Sequence, residues 1–528
     1  MVLPRSIVLT AFNLWLSVLL LIGTTGGSKI LFLAPINGKS HWLFMQNFIK
    51  ALLDRHHEVT TLTPITWDGV RPDNYTEVLI DPPLNIEDIF PQSKVFTAEK
   101  GSALGYLFVL PMVGRATVEK SMQSKNVQKF LHDDSLRFDL VILEEFAMDS
   151  LWMFAHKFKA PLISICSYGY PNFIDRQSGM LTPWSHVPMW TETYSDKMSF
   201  MERLDTTILS LADWMVYKFF HMHWQNDLAK KYFGHLGDLP SLEDLTRNIS
   251  VVLINTHRSI SPPRPSMPGT VFVGGAHIKH ANALPKDLQT FLDGAHEGAI
   301  YFSFGTYVRN TEMPPDRMEM ILNAFEQIGR RVLWKYDDDE AIQNVPKNVM
   351  IRKWMPQNDI LAHPNVILFI SHGGMFGHFE ALYRGVPLII IPFFGDQFRN
   401  AKRAQQIGYA KHLDFKQLST DLLVDSVREM VTNKSYLDKA REISAVFKDN
   451  IVHPMEEAMW WIEQVLKFRG AKHLKSHAAH MTWSQYLLLD VFGVLILGAG
   501  TVLFVFYLAV RRICKRKSKS LESNKKRN

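Results

Sequence analysis

The sequence predicts an α/β protein with two Rossmann-like parallel-sheet domains facing a cleft, followed by a C-terminal transmembrane helix. Three observations predict it. A strand–helix–strand pattern opens at residue 29, and a second strand–helix series opens at residue 299. Between them, Ser261-Pro-Pro-Arg-Pro-Ser-Met-Pro268 reads as an irregular crossing. A charge-free apolar run then fills 491–510. At 528 residues the chain is too long for a single core.

Residues 1–27 have a basic start, an apolar centre and a small-residue exit, the pattern of a signal peptide cleaved near Gly27. Residues 29–34 form a short apolar strand that ends at Pro35. Asn37-Gly-Lys-Ser40 supplies a turn and a helix N-cap, after which Trp42, Met45, Ile49, Leu52 and Leu53 recur at helical spacing. Residues 57–62 are the next strand, which makes a βαβ unit and hence a parallel sheet. Buried strands follow at 140–143 and 162–165. Residues 200–235 form a long helical pattern rich in aromatics, including Trp214, Tyr217, Phe219, Phe220 and Trp224. Core packing is its favoured reading; a pocket wall or a membrane-resting surface is the alternative. The second series has strands at 299–303, 331–334, 349–352, 366–370 and 388–391, with a helix at 318–328. The expected domains are therefore 28–275 and 276–455. Residues 456–490 then hold C-terminal helices and the membrane approach.

The span at 491–510 is followed by a tail, 511–528, with nine Lys/Arg and one Glu. Basic residues beside a span stay cytoplasmic, so the expectation is a single-pass type I membrane protein. The tail carries +8 against +6 for the whole chain, which leaves the rest slightly acidic. The basic pI thus gives no ground for nucleic-acid binding. Cys514 lies beyond the span, so Cys166 has no partner for a lumenal disulfide. Asn74, Asn248 and Asn433 head glycosylation triplets.

The candidate chemistry centres on Phe369-Ile-Ser-His-Gly-Gly-Met-Phe-Gly-His-Phe-Glu380. Glycines after a strand let backbone N–H groups approach a ligand, and the following helix aims its positive end at the same point. That combination suits phosphate, and His372 adds a side-chain N–H. Glu380 lies two turns on, on the same face as Gly373. A carboxylate repels phosphate, so Glu380 suits neutral hydroxyls such as a ribose diol. His378 is rotated away and reads as a packing or surface residue. Trp354 offers a plate for a nucleobase, Asp396-Gln397 a sugar binder at a strand end, and Ser303-Phe-Gly-Thr306 a further glycine and hydroxyl turn.

Trp354-Met-Pro-Gln-Asn-Asp-Ile-Leu, Phe-Ile-Ser-His-Gly-Gly, Glu380, Gly-Val-Pro and Ile-Pro-Phe-Phe-Gly-Asp-Gln397, at their spacing, resemble the signature of the UDP-glycosyltransferases, closest to the membrane-bound animal and insect-like members. The resemblance implies a GT-B fold and inversion at the anomeric carbon with no metal and no cofactor, the UDP-sugar being a co-substrate. It implies that Trp354 stacks on uracil and Gln357 lies near the ribose. His372, Gly373 and Gly374 would hold the diphosphate with Ser303 and Thr306, and Gly377 would belong to the same UDP-sugar-binding set. Glu380 would take the ribose hydroxyls, and Asp396 and Gln397 the sugar.

In the family, the histidine after the first strand is the general base, which here is His41. An unperturbed pKa of about 6.5 suits proton abstraction from a hydroxyl. Its orienting carboxylate aligns with Glu144, with Asp149 as the rival. The expected partners are UDP-glucose or a related UDP-sugar, a small lipophilic hydroxyl acceptor and the membrane; a homo-oligomer is compatible with the sequence. Arg399 could partner a glucuronate carboxylate but is favoured as a solvated helix residue, and the insect-like resemblance implies glucose over glucuronate. Competing readings are a UDP-sugar-binding protein without catalysis and a transferase acting on membrane lipid. Lys525-Lys526 near the end fit a dilysine retrieval signal, which points to the endoplasmic reticulum membrane with lumenal catalytic domains.

Overall fold

In a computed structural model of the chain, residues 27–89, 91–96, 103–338, 342 and 344–525 are described. Residues 1–26 of the expected signal peptide lie outside them, as does the end of the tail beyond Lys525. The chain divides into two compact units, the first ending at Lys475 and the second beginning at Ser476.

The first unit contains both sheets. Strands β1 (Lys29–Leu33), β2 (Glu58–Thr63), β3 (Tyr75–Leu79), β4 (Leu140–Glu144), β5 (Leu162–Cys166), β6 (Ile249–Ile254) and β7 (Thr270–Phe272) lie in the order β3-β2-β1-β4-β5-β6-β7. Every pairing is parallel. Strands β8 (Ala299–Ser303), β9 (Arg331–Lys335), β10 (Val349–Arg352), β11 (Val366–Ser371), β12 (Leu388–Ile390) and β13 (Ala410–His412) form a second parallel sheet, ordered β10-β9-β8-β11-β12-β13. Helices cover both faces, so central strands such as β4, β5, β6 and β8 are buried at every residue and read as continuous apolar runs.

The strand order reverses between β1 and β4 in the first sheet and between β8 and β11 in the second. Parallel sheets bind ligands at the carboxyl ends of strands beside such a reversal, where the flanking connections diverge and open a crevice. His41 follows β1 and Glu144 ends β4; Ser303 ends β8 and His372 follows β11.

The first domain's core is discontinuous in sequence. Helix Pro454–Lys467 returns to the first sheet and buries Ala458, Met459, Ile462 and Val465 in one cluster with Ile30, Phe48 and Leu52. Arg55 ties it down through Glu456 and Glu463.

The pattern at 200–235 is helical but is not core throughout. Helix Phe200–Val216 starts on a capping box of Ser199 and Glu202, passes through a π-helical turn at Tyr217–His221 and continues as Met222–Phe233. Leu209 and Val216 pack inward with Leu107 and Met189. Phe200, Met201, Leu204, Ile208, Leu211, Met215, Phe219 and Phe220 face outward, so the core-packing reading fails for that face. Apolar residues occupy both sides of this helix, and only one side has a layer against it.

In the second unit, helix Leu489–Lys525 contains a stretch, Leu489–Lys517, long and apolar enough to cross a membrane.

Candidate active site

His41 lies in the first turn of helix Lys39–Asp54, which begins directly after the β1 loop with Gly38 as N-cap. Its Nδ1 is 2.5 Å from Oε1 of Glu144, the last residue of β4. The Ser167 hydroxyl, just past β5, lies 3.2 Å from both His41 Nδ1 and Glu144 Oε1. Three neighbouring strand ends thus converge on one imidazole. Phe146 and Phe376 meet the His41 ring edge-on and line its surroundings with apolar surface. Burial alone would lower the His41 pKa; the Glu144 charge and hydrogen bond, with Asp396 across the cleft, more than offset it and hold the pKa above 6.5. With Nδ1 committed to Glu144, Nε2 is the nitrogen left to accept a proton.

Asp149, the rival carboxylate, is turned elsewhere. Its Oδ2 lies 2.5 Å from His221 Nε2, and both side chains are buried. The π-helical turn delivers His221 to that position. Glu145, between the two carboxylates in sequence, is buried with Ser164 and Gln177, and its pKa is pushed up to about 7 by burial and by Asp149.

Across the cleft, β11 ends at Ser371, whose hydroxyl accepts the Gly373 N–H at 3.1 Å. Gly373 has φ +85°, and a Cβ there would meet Ile390 at 2.7 Å, so only glycine fits. Gly374 caps helix Met375–Arg384. The His372 ring lies against Gly305 and Gly374. Burial, with the nearby Lys335 charge, pushes its pKa down to about 4, so it is a neutral donor near pH 7. Its Nδ1 has no hydrogen-bond partner among the described residues. Ser303 is buried and accepts the Gly305 N–H at 3.2 Å, Lys335 Nζ holds the Gly305 carbonyl at 2.9 Å, and Thr306 is exposed on the turn. This arrangement offers backbone N–H groups, a helix N-terminus and a neutral imidazole to one anion.

Gln357 Nε2 donates to Glu380 Oε2 at 2.5 Å. Gly377 makes that possible: a Cβ on it would sit 2.8 Å from Gln357 Nε2. Burial pushes the Glu380 pKa up to about 7 against the opposing effects of Gln357 and Arg384. Trp354 is 56% exposed, with Lys39 Nζ 4.4 Å above its ring. Asp396 caps helix Gln397–Ile407 and accepts from Asn400 at 2.9 Å. Burial raises its pKa, which Asn400, Arg399 and His41 oppose. Gln397 Oε1 accepts the N–H groups of Phe393 and Phe394, which leaves its amide nitrogen as the group free to donate. His378 is buried and bonds to the Tyr409 hydroxyl at 2.7 Å.

Residues 28–527 match the family described as UDP-glucoronosyl and UDP-glucosyl transferase. The chain belongs to that family. It is 34% identical over 490 residues to "UDP-glycosyltransferase UGT5" of Dactylopius coccus, covering 92% of this chain and 91% of the relative. "UDP-glucosyltransferase 2" of the same insect is 34% identical over 520 residues, with 97% and 96% covered. "UDP-glucuronosyltransferase 2A3" of Homo sapiens is 29% identical over 514 residues, with 92% and 94% covered. Among solved structures, UDP-glucose: anthocyanidin 3-O-glucosyltransferase in complex with UDP superposes with a TM-score of 0.54 at 15% identity, covering 84% of this chain and all of that one. CalG4, the calicheamicin glycosyltransferase, does so with 0.57 at 17% identity, covering 84% and 98%. The fold is GT-B, and the protein is a UDP-glycosyltransferase that transfers a sugar from a UDP-sugar.

The sequence reading of this UDP-glycosyltransferase missed three cleft residues and misplaced a fourth. Ser167 follows a strand end, the one signal that marks it. Lys39 and Phe376 are set by tertiary packing. Arg399, read as solvated, instead lies in the cleft, its guanidinium against the Gly169 backbone and its charge felt by Asp396. The first turn of helix Gln397–Ile407 points it across the domain boundary, which sequence periodicity does not register. Of the three glycosylation triplets, Asn74 gives both amide hydrogens to the carbonyls of Leu53 and His57. Asn248 gives one to Asp244, whereas Asn433 is exposed and only accepts, from Ser435.

Proposed function

We propose that this enzyme moves glucose from UDP-glucose to a hydroxyl of a small lipophilic acceptor with inversion, giving a β-glycoside and UDP. The observation that carries the reading is the His41–Glu144 pair at one strand-order reversal, with Asp396 opposite on the other domain. The acceptor hydroxyl gives its proton to His41 Nε2 as its oxygen attacks the anomeric carbon. The bond from that carbon to the β-phosphate oxygen breaks, and UDP leaves with the electron pair. Glu144 stabilises the imidazolium as it forms, and Ser167 fixes the ring. The charge growing on the diphosphate meets His372, the Gly373-Gly374 backbone and the helix end behind it. Trp354 takes the uracil, Gln357 and Glu380 the ribose, and Asp396 and Gln397 the sugar. No step in this reading calls for a metal or a cofactor.

Glucose is supported by the insect relative named a glucosyltransferase and by Asp396, whose carboxylate would repel that of glucuronate. One observation favours glucuronate as a second reading: the Arg399 guanidinium in the cleft. Type I insertion with lumenal catalytic domains in the endoplasmic reticulum completes the proposal, supported by the apolar helix and the basic residues after it. The test is UDP release by isolated membranes given UDP-glucose or UDP-glucuronate with a panel of phenols and steroids. Turnover with UDP-glucose that His41→Ala abolishes, with UDP-glucose binding kept, is the expected result. Preference for UDP-glucuronate, lost in Arg399→Met, would establish the second reading. Acceptor-independent binding with no turnover on either donor would mark a binding protein, and turnover only with added sphingoid bases a lipid transferase.

A further inference from the structure

A cavity of about 580 Å³ opens at the end of the first sheet remote from the cleft. Its walls include Ser28, Asp139 and Leu162, at or beside the amino ends of β1, β4 and β5, whereas His41 and Glu144 stand at carboxyl ends. Lys159, Arg469, Lys472 and Lys475 line it, against one carboxylate, Asp139. That carboxylate already accepts the Lys29 N–H at 2.8 Å. Among the described residues, the charged ends of Lys159, Arg469 and Lys472 have no hydrogen bond or ion pair. Lys475 Nζ donates to the Asn248 carbonyl at 2.5 Å. Lys159, Arg469 and Lys472 are exposed at the mouth, so an anion entering the cavity would meet several cations at once.

The backbone holds them there by an uncommon route. Lys159 has φ +51°, and Arg469, Gly470 and Ala471 follow one another at φ +45°, +99° and +43°. Non-glycine residues enter this region rarely and stay only where the surroundings fix them. Here Ala471 is fully buried in the first-domain core, the Gly470 carbonyl accepts from Ser250 at 2.8 Å, and its N–H donates to Val465 at 2.8 Å. The turn so fixed sets Arg469 and Lys472 on the cavity rim. Burial, and after it the neighbouring Lys472 charge, hold the Lys475 pKa below its usual value.

We propose that this cavity binds a phosphate-bearing anion. Arginine and lysine recognise phosphate oxygens through charge-assisted hydrogen bonds, and the cavity has room for a headgroup-sized ligand. Two sources share that chemistry: the headgroup of an anionic phospholipid, in a chain that also carries a helix fit to cross a membrane, and a free phosphate compound.

The test uses the full chain in nanodiscs and follows hydrogen exchange of residues 156–160 and 466–475. One arm compares phosphatidylcholine discs with discs that also contain phosphatidate. The other adds inorganic phosphate or a soluble inositol phosphate to phosphatidylcholine discs. Slowed exchange with phosphatidate alone identifies a lipid headgroup; slowed exchange with the soluble compounds identifies a free phosphate. The joint variant Lys159→Asn, Arg469→Asn, Lys472→Gln keeps residues tolerant of the left-handed turn at both such positions. It should weaken binding by at least about tenfold while UDP release stays at the wild-type rate. No protection of the wild-type chain in either arm overturns the proposal, whether or not the variant folds, and so does wild-type affinity in the variant.

Discussion

Replacing Glu144 with glutamine keeps the shape of the residue behind His41 and removes its charge. The pair is close, 2.5 Å from Nδ1 to Oε1, and Glu144 is 1% exposed, so water screens it little. At a charge-centre spacing of ~4 Å and an effective dielectric of ~20, such a pair is worth about 4 kcal/mol when the imidazolium forms. At about 1.4 kcal/mol per tenfold, that is close to three decades in rate. Glutamine still accepts a hydrogen bond, so the expected loss in kcat for Glu144→Gln is roughly 100- to 1000-fold. The pH profile carries the sharper signature. His41 must be neutral to take a proton, so activity rises with pH through its pKa. Glu144 is the strongest influence raising that pKa against burial. In Glu144→Gln the acid limb of kcat/KM therefore moves to lower pH while the plateau falls. UDP release from UDP-glucose, measured in membranes across a pH series, reads both quantities. A plateau near wild type with an unmoved acid limb would refute the pairing as the source of catalysis. A matching shift in Asp149→Asn would transfer the role to Asp149.

Glu380→Gln should raise the melting temperature of the ligand-free enzyme at pH 8 while raising KM for the donor. The Glu380 pKa rises from 4.5 to about 7 on folding, so stability is full below pH 4.5 and is lost as pH climbs through 7, by up to roughly 3 kcal/mol; an unchanged melting temperature would contradict that burial cost. Gly377→Ala places a methyl 2.8 Å from Gln357 Nε2 and pushes that amide off Glu380, so KM for the donor should rise several-fold with kcat nearly unchanged; titration of UDP-glucose would check it. Asn433→Gln should remove one glycan, seen as a step on a denaturing gel, whereas Asn74→Gln should leave mobility unchanged because both Asn74 amide hydrogens are committed.

Much of the fold was legible because its central strands are buried on both faces, and a run such as Ala299-Ile-Tyr-Phe-Ser303 has no other stable place. Four strands escaped notice: Tyr75–Leu79, Thr270–Phe272 and Ala410–His412 are short edge strands of mixed polarity, placed by pairing to a neighbour, whereas Ile249–Ile254 is wholly buried and apolar and was passed over although its pattern matches the strands that were read. The donor half of the site was legible because glycine, histidine and carboxylate lie within one βα turn and the helix after it. His41 with Glu144 was legible only through the resemblance, since 103 residues separate them and parallel pairing alone brings β1 beside β4. Arg399 and the outward face of helix Phe200–Val216 were misread for a common reason. Periodicity reports which side of a helix is apolar, but not whether another layer stands against it.

On the proposed mechanism, the two strand-order reversals explain why neither domain suffices for the chemistry. At its cleft edge the first gathers a histidine with a raised pKa, its carboxylate and an apolar surround, and the proposed mechanism leaves the diphosphate to the other domain. The second gathers a helix N-terminus and a neutral histidine, and its carboxylates Glu380 and Asp396 accept from the amides of Gln357 and Asn400 and hold no imidazole. Burial lowers the pKa of both histidines, and they part because only His41 has a carboxylate at hydrogen-bond distance while His372 has the Lys335 charge nearby. A histidine at the phosphate turn with a raised pKa would bind diphosphate more tightly and slow its release. A histidine at the acceptor side with a lowered pKa would be too weak a base for an alcohol. Placing Glu144 at one strand end and leaving the other without an acid sets both roles, and Asp396 lets each domain bear on the other across the cleft.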